Sequence, residues 1–150
     1  MEIRKFQNLL SKSKRIGLDS MAYIYLLEEH PKLSILAENI FERAENNKLT
    51  IISSVLILIE VLTGFRKSKE QDLEKKFQQI INEFSSLEIY NVDQNLVNLI
   101  VDLRANYNLK TPDAIHLATA IEHGADIFIT NDRQLKKVKE INILYIGDYI

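Results

Sequence analysis

Hydrophobic positions along this chain switch repeatedly between two spacings, and the switches outline an alternation of helices and strands. Ile3, Phe6, Leu9 and Leu10 recur near helical spacing, which predicts a short amphipathic helix within Met1 to Lys14. Ile16-Gly17-Leu18 reads as a short buried strand, followed by a helix over Met21 to Glu29 that Pro31 separates from the next. Leu33, Leu36, Ala37, Ile40, Phe41 and Ala44 mark that next helix, Asn46-Asn47 a turn, and Leu49 to Ile52 a strand. Val55 to Thr63 is read as a helix capped by Ser53-Ser54 and stopped by Gly64. Ser68 to Phe84 carries Leu73, Phe77, Ile80, Ile81 and Phe84 at helical spacing. Leu87 to Tyr90 is a third strand, after which Asp93 caps a helix marked by Leu96, Val97, Leu99, Ile100 and Leu103.

The stretch from Leu109 to Leu135 holds the most information. Thr111-Pro112-Asp113 predicts a helix start, with a hydroxyl at the N-cap, proline at the first helical position and a carboxylate in the first turn. Ala114, Ile115, Leu117, Ala118 and Ile121 give that helix an apolar face, and Gly124 ends it. Ile127 to Thr130 then reads as a strand buried on both faces, delivering Asn131-Asp132 at its carboxyl end, with a short helix from Gln134 to Val138. Ile143 to Ile146 is the last strand. Strands alternating with helices predict an α/β fold: helices on both faces of a central, mainly parallel sheet.

Composition narrows the class. A chain of 150 residues, 46% hydrophobic and 27% charged, suits one globular domain with a real core, so residues 1–150 are expected to form a single domain with 1–14 as a helical extension. No apolar run is long enough to span a bilayer. The absence of cysteine excludes disulfides, thiolate zinc sites and a cysteine nucleophile, and fits a cytoplasmic protein. A net charge of −2 gives no global attraction to nucleic acid, so such binding needs local cations. Arg66 and Lys67, with Lys69, form the best local basic patch, a candidate for phosphate contact whose plainer role is solvated surface.

Four acids stand out by position. Asp19 and Asp132 each end a strand, Asp113 opens a helix, and Glu60 lies in an apolar helix among Leu56, Ile57, Ile59, Val61 and Leu62, where a lone carboxylate is costly. Each has a plainer role when taken singly: Asp19 and Asp132 as caps, Asp113 as a complement to the helix dipole, Glu60 as an amphipathic rim. A parallel sheet can bring all four to its carboxyl edge. Carboxylates crowded there repel unless cations bridge them, and such a cluster selects hard divalent ions. Two Mg²⁺ or Mn²⁺ ions about 4 Å apart would activate water and stabilise the leaving oxygen of a phosphodiester. His116, one turn from Asp113, is either a general base or phosphate contact, or a supporting group; metal-assisted hydrolysis needs no histidine, which favours support.

The order Asp19-Ser20, Glu60, Thr111-Pro112-Asp113-Ala114-Ile115-His116-Leu117-Ala118-Thr119-Ala120 and Ile129-Thr130-Asn131-Asp132 resembles the PIN domain, particularly the VapC-type toxins. The resemblance covers roughly Arg15 to Tyr145. It implies a three-layer α/β/α fold and metal-dependent RNA cleavage, with Asp19, Glu60, Asp113 and Asp132 as catalytic metal ligands. Ser20, Thr130 and Asn131 would support them, with Mg²⁺ or Mn²⁺ as cofactor, an antitoxin as partner, and a homodimer. Leu135 departs from the phenylalanine common at its position. Two other classes compete: a PIN-like module that binds RNA or protein without cleaving, and a phosphotransfer receiver or phosphatase. Against the latter, Asp19-Ser20-Met21-Ala22 lacks the second acid of a paired-aspartate nucleophile.

Overall fold

The computed structural model describes residues 2–150. Five strands, β1 (Arg15–Leu18), β2 (Thr50–Ser54), β3 (Leu87–Tyr90), β4 (Ile127–Thr130) and β5 (Asn142–Tyr145), pair in parallel in the order β3-β2-β1-β4-β5. Among the described residues seven α-helices accompany them: α1 (Glu2–Lys12), α2 (Ser20–Leu27), α3 (Ser34–Glu45), α4 (Leu56–Lys67), α5 (Gln71–Glu83), α6 (Val97–Tyr107) and α7 (Thr111–Glu122). Helices α1 to α5 bury Phe6, Tyr23, Leu36, Ile57 and Phe77 in one core. Helices α6 and α7 bury Leu103, Leu117 and Ala118 with Phe128 and Leu135 in another. The sheet between them is apolar on both sides, as its continuous hydrophobic strands require, and the three-layer α/β/α architecture is the one expected.

One glycine sets the closest helix-to-sheet approach. A Cβ on Gly17 would overlap the Ala120 methyl and lie 2.7 Å from the Phe128 ring, so glycine is what lets α7 settle on β1. The winding has a direct consequence for function. From β1 the chain steps outward to β2 and β3, then returns past β2 and β1 to β4 and continues to β5, so its direction reverses between β1 and β4. Right-handed crossovers made in opposite directions put α2 to α5 on one face and α6 and α7 on the other. Beyond the carboxyl ends of the two strands at such a reversal, the loops part and leave a crevice.

Several local expectations shift. Thr111 does not cap α7: Lys110 holds the extended flanking position, no side chain caps the first turn, and Thr111 already belongs to the helix. Gly64 does not stop α4, which runs on to Lys67, because the buried Phe65 carries the packed face past it. Ser53 is a strand residue, although Ser54 does accept the Leu56 amide at 3.1 Å. The segment after Asp132 is a 3-10 turn over Arg133–Lys137. Gly124 does end α7, in the left-handed conformation with φ 76°.

Candidate active site

A cleft of about 370 Å³ opens at the winding reversal, and Asp19, Glu60, Asp113 and Asp132 all line it. Each acid arrives by a different route. Asp19 follows β1 and caps α2, accepting the Met21 amide at 3.1 Å. Asp132 follows β4 and caps the next turn through the Gln134 amide at 2.9 Å. Asp113 sits in the first turn of α7, and Glu60 in the second turn of α4. The capping roles and the cleft positions therefore coexist in the same residues.

Thr130 ties the two strand ends together. Its hydroxyl donates to Asp19 Oδ2 at 3.0 Å and accepts the Asp132 amide at 3.0 Å. Asn131 lines the cleft and donates to the Tyr25 hydroxyl at 2.7 Å, while Ser20 is buried at the start of α2 and lines the cleft as well. His116 reaches from α7 to α4, with Nε2 at 2.6 Å from Glu60 Oε1. The imidazole is 3% exposed and its Nδ1 has no hydrogen-bond partner among the described residues. A proton on Nδ1 would be buried and unsatisfied, so the ring donates to Glu60 through Nε2. Glu60 thus has the partner that its apolar helix demanded.

The electrostatics record crowding. Burial pushes the Asp19 carboxyl up from its ordinary 3.8 to about 6, and the charge of Asp113 adds to this. The His116 ring and hydrogen bonds from Thr130 and Met21 pull the other way. Burial also raises Asp113, with the charges of Asp132 and Glu60 adding to the rise and the His116 ring and the Lys110 charge opposing it. Among the described residues no lysine or arginine lines the cleft to offset these acids. Among the described residues, no three His, Asp or Glu side chains converge closely enough to share one ion as placed. The donor chemistry nevertheless fits a hard divalent cation: carboxylate, amide and hydroxyl oxygens, with no thiolate and one imidazole already engaged by Glu60.

Met21 and Tyr25 also line the cleft, and neither stands out from the sequence alone. The signal for Tyr25 was a tyrosine in the almost wholly apolar helix Ser20–Leu27, whose hydroxyl needs a polar partner. Arg66 and Lys67 lie at the far end of α4, outside the cleft lining, and Arg66 is paired with Glu74 at 2.8 Å. His30 and His123 are half-buried: His30 accepts two backbone amides and His123 stacks on Tyr90. Among the described residues no helix is long and apolar enough to cross a membrane.

A family model for the PIN domain matches residues 16–141. Among solved structures, VapBC2 from Rickettsia felis bound to a DNA fragment from their promoter is similar with a TM-score of 0.66 and 23% identity, over 87% of this chain and 98% of that one. A toxin-antitoxin complex from Klebsiella pneumoniae gives 0.64 and 25%, over 87% and 96%. Mycobacterium tuberculosis VapC20, a sarcin-ricin loop cleaving toxin, gives 0.65 and 13%, over 85% and 98%. No curated protein sequence matches the chain.

Proposed function

The chain belongs to the PIN domain family, and from that premise we propose that it is an endoribonuclease dependent on Mg²⁺ or Mn²⁺, the toxin of a toxin-antitoxin pair. One observation carries the proposal: four carboxylates from four separate segments line one cleft where the strand order reverses. PIN domain nucleases generally use divalent metals, and Asp19, Glu60, Asp113 and Asp132 are the residues that would hold them. When bound, such an ion supplies positive charge that polarises a phosphodiester and makes water a better nucleophile. The rest is the work of the chain. Thr130 holds Asp19 and the Asp132 backbone in register, His116 orients Glu60, and Asn131 with Tyr25 braces the wall beside them.

The neighbours support the remaining parts of the reading. The VapBC and toxin-antitoxin assemblies support an antitoxin as partner, and VapC20, a sarcin-ricin loop cleaving toxin, supports RNA as substrate. We extend the proposal to a single nuclease domain with α1 as its helical extension, working as a cytoplasmic homodimer. The competing reading, an RNA- or protein-binding module without cleavage, draws on the spread of the acids in the cleft. The complete acid set and the raised Asp19 and Asp113 favour catalysis, since strained titrating groups gather where chemistry needs them. Purified protein is expected to cleave RNA with Mn²⁺ or Mg²⁺ and not in EDTA. Asp113 makes no hydrogen bond that Asn would break among the described residues, so Asp113→Asn should fold normally and lose nearly all activity. Full cleavage by that variant, with contaminating nuclease excluded, overturns the assignment.

A further inference from the structure

The acidic cleft has a neighbour of opposite character. A second groove, about 480 Å³, shares Asp113 and Asp132 with the first, but its other walls include Arg104, Asn108, Lys110 and Gln134. Arg104 on α6 donates through Nε to the Leu109 carbonyl at 3.2 Å, which fixes the stem. Its Nη atoms have no partner among the described residues. Asn108 takes the left-handed conformation (φ 54°, ψ 41°) and turns the chain between α6 and α7, bringing Lys110 into the same groove as Arg104. Lys110 is exposed and forms no ion pair among the described residues.

Resting on the ribonuclease reading, we infer that this groove is a second RNA subsite, where Arg104 and Lys110 hold the phosphodiester next to the one cleaved. A polyanion drawn across the wall formed by Asp113 and Asp132 meets repulsion, and cations just beyond that wall offset it. The free edge of an arginine guanidinium matches two phosphate oxygens, and a lysine adds a mobile point charge. Asn108 and Gln134 supply donors and acceptors suited to ribose hydroxyls and base edges, which makes the groove a site for single-stranded RNA. Arg66, by contrast, is engaged by Glu74 and lines neither groove.

The test compares two double variants, Arg104→Ala with Lys110→Ala, and Arg66→Ala with Lys67→Ala, in Mn²⁺. Substrates are a dinucleotide with one phosphodiester and a single-stranded oligoribonucleotide. For the first variant, KM on the oligonucleotide should rise about tenfold with kcat little changed, the pattern of weakened uniform binding. Its log(kcat/KM) against log salt should flatten by about 0.7 for each phosphate that the variant no longer neutralises. The first variant should lose far less on the dinucleotide than on the oligonucleotide, and the second variant should match wild type on both. Because Arg104 also braces the Leu109 carbonyl, Lys110→Glu alone gives a variant of an exposed side chain with the same expected direction. Oligonucleotide cleavage by a folded Lys110→Glu protein with unchanged KM and salt slope overturns the subsite while leaving the ribonuclease reading intact. A wild type that cleaves neither substrate overturns both.

Discussion

Glu60 and His116 show how much one hydrogen bond decides. With Nε2 committed to Glu60 and Nδ1 buried without a partner, His116 can orient the carboxylate but has no free nitrogen for substrate. It is a positioning residue. His116→Gln keeps a donor near the Nε2 position and should retain the Mn²⁺ concentration needed for half-maximal cleavage. His116→Ala should raise it about 10- to 100-fold, the usual effect of removing a group that orients a metal ligand. An unchanged Mn²⁺ requirement in His116→Ala would make the histidine merely a core residue. Asp19 sets the pH dependence. An acid with a raised folded-state pKa gives stability that is full below its unfolded value and lost as pH rises through the folded one. The rise from 3.8 to about 6 corresponds to about 3 kcal/mol. In EDTA, wild-type stability should therefore decline across that window, and Asp19→Asn should lack most of the decline. Urea unfolding at stepped pH reads this directly, and parallel profiles for the two proteins would contradict it.

At the scale of elements, α7 is positioned by what is missing from β1. Gly17→Ala would force its methyl against Ala120 and Phe128, overpacking that should cost about 1 to 3 kcal/mol. Because α7 also carries Asp113 and His116, the shift should lower cleavage as well as the melting temperature. A Gly17→Ala protein of wild-type stability would show that the helix has room to retreat. Element types were legible wherever period and burial agree, as in the amphipathic α5 or the doubly buried β4. Boundaries were less so. Gly64 looked like a stop because local propensity says so, yet burial of Phe65 outweighs the roughly 1 kcal/mol that glycine costs inside a helix. Thr111 looked like a cap, but its backbone is helical and the flanking role falls to Lys110.

For the whole molecule, the alternation of elements made a parallel sheet legible, and the ends of β1 and β4 pointed to Asp19 and Asp132. The strand order β3-β2-β1-β4-β5 was not legible, since pairing Ile16 with Ile127 joins residues far apart in the chain. Nor was the second groove, because Arg104, Lys110 and Gln134 meet only after α6, α7 and the turn following β4 are packed. Crowding of the acids makes the metal-free protein carry strain that a bound cation relieves, and this is where the metal assignment can be tested most directly. Asp113 is the better probe, because the Asp132 carboxylate also caps the Gln134 amide and its removal would confound the reading. The measurement is the melting temperature of wild type and Asp113→Asn, each in EDTA and in Mn²⁺. In EDTA near neutral pH, Asp113→Asn should melt higher, because neutralising one acid relieves the repulsion from Asp132 and Glu60. Saturation at about a hundred times the dissociation constant adds roughly 2.7 kcal/mol, so wild type should gain a few degrees with Mn²⁺ and the variant less. If Asp113→Asn melts lower in EDTA and both proteins respond equally to Mn²⁺, these carboxylates are caps and helix ends that share a cleft, and no metal site joins them.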